Sequence, residues 1–204
     1  MQKIQTIRID LAKNVFQVHC VDEKDQIVLV KQLRRNQVIA FFEKLEPCLV
    51  GMEACATAHH WARELIKLGH DVRLIPPVYV KAYVKRSKND AADAAAICEA
   101  VTRPSMRFVP VKTEVQQAAL MVHRARDLLM RQRTQLTNAL RAHLAELGIV
   151  AETGREGGMQ LVKIVGQARS SGALPAEMIE ALSALIDQIF SLEEQINELN
   201  KCIK

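Results

Sequence analysis

The sequence predicts an α/β fold with a mixed β-sheet, followed by an α-helical region. In residues 1–110, short β-branched runs alternate with segments of helical composition. Residues 114–147 instead form a long stretch rich in Leu, Ala, Gln and Arg, without Pro or Gly. With 49% apolar and 25% charged residues among 204, the composition is that of a folded protein with a core. We expect two domains, 1–112 and 113–204.

Three short β-rich runs open the chain. Residues 6–10 and 27–30 are rich in β-branched side chains, and residues 15–21 alternate between apolar and polar with a period of two. A polar turn, residues 22–25, separates the second run from the third. This order predicts an antiparallel meander of three strands.

Strand and helix signals then alternate. Residues 48–53 form an apolar run that ends in a carboxylate, which predicts a buried strand. Residues 58–68 have helical composition and stop at Gly69, a common residue after a helix end. Residues 72–75 predict another strand before a Pro-Pro pair. Strand–helix–strand units of this kind indicate parallel pairing, so the sheet is expected to be mixed.

Two further helices are predicted from their start signals. Asn36 has the side chain of a helix N-cap, so we expect a helix from there to Leu45. Asp90 marks the start of a helix that reaches about Val101, before Pro104.

The C-terminal region contains a heptad pattern. Five glycines in residues 151–172 predict a loop or short helices, and Pro175 opens a second long helical segment. Apolar residues in that segment follow 3-4 spacing: Leu182, Leu185, Ile189, Leu192, Ile196, Leu199 and Ile203. Such a stripe predicts a coiled coil, paired with the 114–147 helix, with another chain, or with both. A homo-oligomer is therefore expected.

The charge and the cysteine usage indicate which partners and which redox compartment suit this chain. The net charge is +5, and residues 1–110 contain 17 Lys and Arg against 12 Asp and Glu. A basic surface attracts polyanions, although a solvated face is an equal explanation of the charge alone. Five scattered cysteines without a C-x-x-C pair favour a reducing cytoplasm over a disulfide framework or a zinc ribbon. No apolar run approaches the ~18 residues of a membrane span.

Four carboxylates form the most informative pattern. Asp10 ends the first predicted strand and Glu53 the fourth, while Asp90 and Asp93 share one face at a helix start. Neighbouring strand ends in an α/β sheet meet at one crevice. Four acids there need a counter-charge, which a pair of Mg²⁺ ions would supply for phosphodiester chemistry. Singly, each acid also fits an ordinary role as a turn, loop or helix-capping residue.

Three blocks of the chain carry a family resemblance. They are Ile9–Asn14, Gly51–Cys55 and Lys88–Ala94, with residues 76–81 and 107–112 in support. In this order they resemble the signature blocks of the DEDD transposases, members of the large bacterial insertion-sequence family (number one-hundred-ten) that use a bridge RNA. The resemblance covers essentially the whole chain and is most specific in residues 7–112.

The resemblance implies an RNase H-like fold of the Holliday-junction-resolvase type. It assigns Asp10, Glu53, Asp90 and Asp93 as catalytic Mg²⁺ ligands, two ions being expected. It also implies that the helical coiled-coil region assembles the oligomer and helps to bind a structured guide RNA and DNA. The expected location is the bacterial cytoplasm, in association with the nucleoid.

Two departures from the family pattern stand out. Arg8 occupies a position that is commonly Gly, and a long cationic side chain there is expected to face solvent or contact nucleic acid. Family members also continue into a second domain with a nucleophilic Ser, whereas this sequence stops at Lys204. Ser183 and Ser191 match no nucleophile motif. We expect a truncated or naturally shortened chain that does not complete recombination alone.

Several basic residues are candidates for nucleic-acid contact. The phosphate-contacting set comprises Lys13, Lys81, Lys85, Arg86 and Lys88. For Lys13, plain solvation is an equal explanation. A second candidate, a basic stripe of Arg124, Arg126, Arg131 and Arg133, is equally compatible with a charged bundle surface.

The His59-His60-Trp61 run contains side chains that can bind a metal or pack in a core. Adjacent helical residues point in different directions, so a structural role is favoured for the two histidines and packing for Trp61.

Three functions remain open at this point. The first is the Mg²⁺-dependent part of an RNA-guided transposase. The second is a self-sufficient resolvase-like nuclease that cuts branched DNA. The third is a dimerising nucleic-acid-binding fragment without catalysis. An actin-like ATPase is disfavoured because no Gly follows Asp10 to cradle phosphates.

Overall fold

The computed structural model describes residues 3–79, 101 and 106–203. These divide into two compact units, Met1–Thr113 and Glu114–Lys204, and each is described by itself. Along the described chain, no helix is both long and apolar enough to cross a membrane.

The first unit is built on a five-stranded mixed sheet. Its strands are β1 (Thr6–Asp10), β2 (Val15–Val21), β3 (Ile27–Arg34), β4 (Leu49–Glu53) and β5 (Asp71–Ile75). Their order in the sheet is β3-β2-β1-β4-β5. The β1–β2 and β2–β3 pairs are antiparallel, whereas β1–β4 and β4–β5 are parallel. The predicted meander and the mixed sheet are confirmed, and this arrangement is that of an RNase H-like fold.

One face of this sheet packs against two helices, α1 (Val38–Phe42) and α2 (Ala58–Lys67). Alternate residues of every strand point to that face, which makes it the core. Its fully buried members include Ile7, Ile9, Phe16, Val18, Val50, Met52, Phe42, Leu65 and Leu74. The helix predicted over 58–68 is confirmed, and Gly69 follows it with φ +91°.

The helix predicted from Asn36 to Leu45 is shorter than expected. A 3₁₀ turn, Arg35–Gln37, precedes α1, so Asn36 lies inside that turn and does not cap a helix. The side-chain Oε1 of Gln37 accepts a hydrogen bond from the Arg34 amide at 2.9 Å, which stabilises the tight turn at the end of β3. The helix predicted from Asp90 lies, apart from Val101, outside the described residues.

The opposite face of the sheet is polar near its centre. Arg8 pairs with His19 on β2 and with Gly51 on β4, and both polar side chains are buried. The expectation that Arg8 faces solvent is wrong, because only 6% of the residue is exposed. Gly51 has no side chain, and this leaves space for the long Arg8 side chain on the neighbouring strand.

The second unit consists of three helices, α3 (Glu114–Ala145), α4 (Arg155–Ser171) and α5 (Ala176–Cys202). Both long helices are confirmed, and Pro175 lies immediately before α5. The prediction of a loop or short helices over 151–172 is wrong, since most of that segment is one helix of 17 residues.

The heptad stripe packs largely inside this unit. Leu182 and Ile189 of α5 join Leu140 and Leu144 of α3 and Leu161 of α4 in one core cluster. This burial accounts for the packing of α5 against α3 and α4. The expected oligomer stays a prediction.

Candidate functional site

Asp10 and Glu53 end two neighbouring parallel strands. The last paired residues of β1 and β4 are Ile9 and Met52, so the two acids occupy the next position on each strand. Ile9 and Met52 point into the core, and strand alternation therefore places both acids on the opposite, polar face. Asp10 is exposed and Glu53 is half-buried.

Two backbone hydrogen bonds fix the chain directly after Glu53. The Ala54 amide donates a hydrogen bond to the Ile75 carbonyl at 2.8 Å, which continues the β4–β5 pairing to the carboxyl ends of these strands. The Cys55 amide donates to the Glu53 carbonyl at 2.8 Å, so the chain turns sharply there. These bonds fix the backbone at Glu53, at the carboxyl end of β4 and beside the end of β1.

Asp90 and Asp93 lie outside the described residues, as do Lys81, Lys85, Arg86 and Lys88. The four-acid cluster therefore stays a prediction. Among the residues that the structure describes, no three His, Cys, Asp or Glu side chains come together as a metal site. Adjacent strands lie about 4.8 Å apart, a spacing at which two carboxylates can share one hard cation. Asp10 and Glu53 thus form half of the expected donor set.

A polar row continues from the acids across the antiparallel half of the sheet. Gln17 on β2 pairs with Asp10, and Gln32 on β3 pairs with Gln17. Arg34 on β3 pairs with Val15 and therefore shares the same face. Gln17, Gln32 and Arg34 were not predicted from the sequence, because only the strand register places them on the same face as Asp10.

The connection between β1 and β2 contains the exposed basic residue Lys13. The Asn14 carbonyl in this connection accepts a hydrogen bond from the Arg35 amide at 3.1 Å. The Arg35 guanidinium lies 5.1 Å from the ring centroid of Trp61 on α2. Trp61 is buried and contacts Phe16 edge-to-face, so its predicted packing role is confirmed.

His59 belongs to a cationic cluster at the start of α2. Its Nδ1 accepts a hydrogen bond from the Lys112 amide at 3.2 Å, and its Nε2 lies 3.2 Å from Lys112 Nζ. Arg63 donates to the Lys112 carbonyl at 2.8 Å. Partial burial, then the charges of Lys112 and Arg63, lower the pKa of His59. These contacts give His59 a structural role, as predicted.

The fold and the paired acids together define the class of RNase H-like proteins. Within it, residues 7–149 match the family model of the DEDD transposases of the IS110 type, described as "Transposase". The chain therefore belongs to the IS110 family of transposases.

Curated relatives agree with this family. A probable family 20 transposase of Pseudomonas aeruginosa is 52% identical over 98% of this chain and 60% of its own length. The transposase for insertion sequence element IS1328 of Yersinia enterocolitica is 41% identical over 100% of this chain and 60% of its own. The transposase for insertion sequence element IS1111A of Coxiella burnetii is 34% identical, again over the whole chain and over 56% of its own length. The chain thus spans somewhat more than half the length of these relatives.

Proposed function

We propose that this chain provides the Mg²⁺-dependent DEDD part of a transposase that acts on DNA phosphodiesters during transposition. The observation that carries the proposal is the position of Asp10 and Glu53, side by side on one face at the ends of β1 and β4. Family membership supports the same reaction class.

The residues fit a hard divalent cation. Carboxylate oxygens are the donors that Mg²⁺ prefers, and Asp10 and Glu53 present them from rigid strand ends. Asp90 and Asp93 are the proposed remaining ligands. When bound, the metal would supply Lewis-acid stabilisation of charge on the scissile phosphate. Asp10 and Glu53 would hold that metal at the carboxyl ends of β1 and β4.

Nucleic-acid partners follow from the same family. DNA is the proposed substrate, and a structured guide RNA is the proposed second partner. Lys13, Lys81, Lys85, Arg86 and Lys88 are proposed phosphate contacts. The helical unit is the proposed site of homo-oligomer assembly.

Metal binding in the presence of DNA tests this proposal. Asp10→Asn and Glu53→Gln each remove one anionic ligand and keep the side-chain shape, so Mn²⁺ affinity should fall by about tenfold or more. Glu23→Gln, in the turn at the far end of β2, is the matched control and should bind Mn²⁺ as the unchanged chain does. Affinities measured by electron paramagnetic resonance that are equal for all four proteins would contradict the proposal.

A cleavage assay separates transposition from simple nuclease activity. If the chain provides one part of a transposase, branched and linear DNA should stay uncut when no other component is added. Metal-dependent cutting of branched DNA that is lost in Asp10→Asn would instead support a self-sufficient resolvase-like nuclease.

A further inference from the structure

We propose that the β2–β3 half of the acid-bearing face binds the backbone of the DNA strand whose phosphate lies at Asp10 and Glu53. This surface, the β2–β3 track, consists of Gln17, Gln32 and Arg34. The inference rests on the proposed function, because it extends that function's DNA strand beyond the two acids.

Strand register carries the first step. Gln17 pairs directly with Asp10, and Gln32 pairs directly with Gln17, so three polar side chains share one face across β1, β2 and β3. Arg34 lies two residues beyond Gln32 on that face. The row therefore leads from the acids to β3, the edge strand of the described sheet.

The second step is charge. The sequences of β2 and β3, VFQVHCV and IVLVKQLR, contain no Asp or Glu. A strand of DNA that leaves the acids on this side meets two amide side chains and then the guanidinium group of Arg34. Gln and Arg side chains are among the usual phosphate and sugar contacts in protein–DNA complexes.

The third step is accessibility. Gln32 and Arg34 are exposed, and Gln17 is half-buried. Within the described part of the chain, the Arg34 guanidinium forms no ion pair with a carboxylate. Its charge is therefore available to an external anion.

The fourth step is pre-organisation. The Arg34 amide donates to Oε1 of the Gln37 side chain at 2.9 Å, and the Arg35 amide donates to the Asn14 carbonyl at 3.1 Å. These bonds fix the backbone from which the Arg34 side chain projects. A fixed backbone reduces the conformational entropy that is lost when Arg34 binds a phosphate.

Distance sets the position of the contact. Arg34 is two strands away from Asp10 and two residues further along β3, which corresponds to roughly 12 Å at the usual strand spacing and rise per residue. The phosphate that Arg34 contacts should therefore be a neighbouring phosphate of the same strand and not the one at the acids.

Salt-dependent DNA binding tests the track. The test variant is Arg34→Gln, and the matched control is Lys31→Gln. Lys31 is also on β3 but pairs with the core residue Val18, so it faces the other side of the sheet. Both variants remove one positive charge.

Affinity for a DNA duplex is measured with Mg²⁺ present, between about 50 and 200 mM added salt. Losing one phosphate contact should reduce the steepness of log K against log salt by about 0.9. The affinity gap between the unchanged chain and the test variant should thus narrow about 3.5-fold over this range. The control should keep the original slope.

Three results would overturn the inference. The first is an equal effect of the test variant and the control variant, which indicates non-specific charge. The second is a loss of affinity for structured RNA without a loss for DNA. The third is an unchanged slope in the test variant. Mn²⁺ binding by Asp10 and Glu53 is measured separately in each case. A negative result for the β2–β3 track therefore does not contradict the proposed function.

Discussion

His70 holds Cys48 in place through its ring: the Nδ1 atom accepts a hydrogen bond from the Cys48 amide at 3.2 Å. Its Nε2 atom lies 3.3 Å from the Phe42 carbonyl, which can only accept, so Nε2 carries the proton. Burial raises the pKa of the Cys48 thiol to about 11, and this thiol is therefore uncharged at neutral pH. His70 thus joins the end of α1 to the chain entering β4, the strand that ends in Glu53.

His70→Ala should destabilise the first unit. The change leaves the Cys48 amide without its His70 partner, in surroundings where His70 itself is only 4% exposed. The Phe42 carbonyl loses one of two hydrogen bonds and keeps the one from the Leu45 amide at 3.1 Å. We expect the free energy of unfolding to fall by about 3 kcal/mol in urea titrations. His60→Ala, at an exposed position, should change it by less than about 1 kcal/mol. Equal effects of the two variants would show that the buried contacts contribute little.

His59 should make the first unit less stable in mild acid. Its pKa in the folded chain is below the ordinary value of 6.5, so the unfolded chain binds more protons near that pH. The stability that His59 contributes is present above pH 6.5 and is lost as the pH falls through the folded value. His59→Gln removes this titration. The variant should lose less unfolding free energy than the unchanged chain between about pH 7.5 and about pH 5. The same loss in both proteins would contradict the assignment.

Two glycines of α4 should respond oppositely to replacement by alanine. Gly166 lies inside the helix, and no atom lies within 4 Å of the position that an alanine Cβ would take there. Gly166→Ala should therefore raise the melting temperature and stabilise by about 1 kcal/mol. Gly172 caps the helix end with φ +64°, a left-handed conformation. Gly172→Ala should therefore destabilise by about 1–2 kcal/mol. Calorimetry that gives both changes the same sign would refute this explanation.

Leu161 should be essential to the helical unit. It is fully buried between α3 and α5, so Leu161→Ala leaves a cavity and should lower the free energy of unfolding by about 2–5 kcal/mol. Met159 lies two residues away and is 48% exposed. Met159→Ala should have a much smaller effect in the same chemical denaturation experiment. Similar losses would mean that α4 does not pack as described.

Local periodicity was enough to predict most of the fold. The period-two pattern of residues 15–21 and the Pro- and Gly-free stretch from 114 correspond to β2 and α3. The helix α4 was missed because its glycines lower helix propensity by about 1 kcal/mol each. Burial of Leu161, Val165 and Ala168 against the other two helices outweighs that cost, which no local pattern reveals.

The candidate site was predictable only in part. Asp10 and Glu53 could be found because each ends a predicted strand. Their relation to Gln17, Gln32 and Arg34 depends on pairing between distant segments, which the sequence does not display. The burial of Arg8 likewise depends on Gly51, 43 positions further along the chain and in register with it only after folding.

The parallel pairing of β1 with β4 makes the placement of the acids robust. A slip of one residue would turn Asp10 towards the core and would bring Ile7 and Ile9 out to the polar face. The same slip on β4 would expose Val50 and Met52. The apolar residues that alternate with the acids thus fix the face of the sheet on which the acids lie. Substitutions among these core positions that preserve size and hydrophobicity should leave the acids facing the same side.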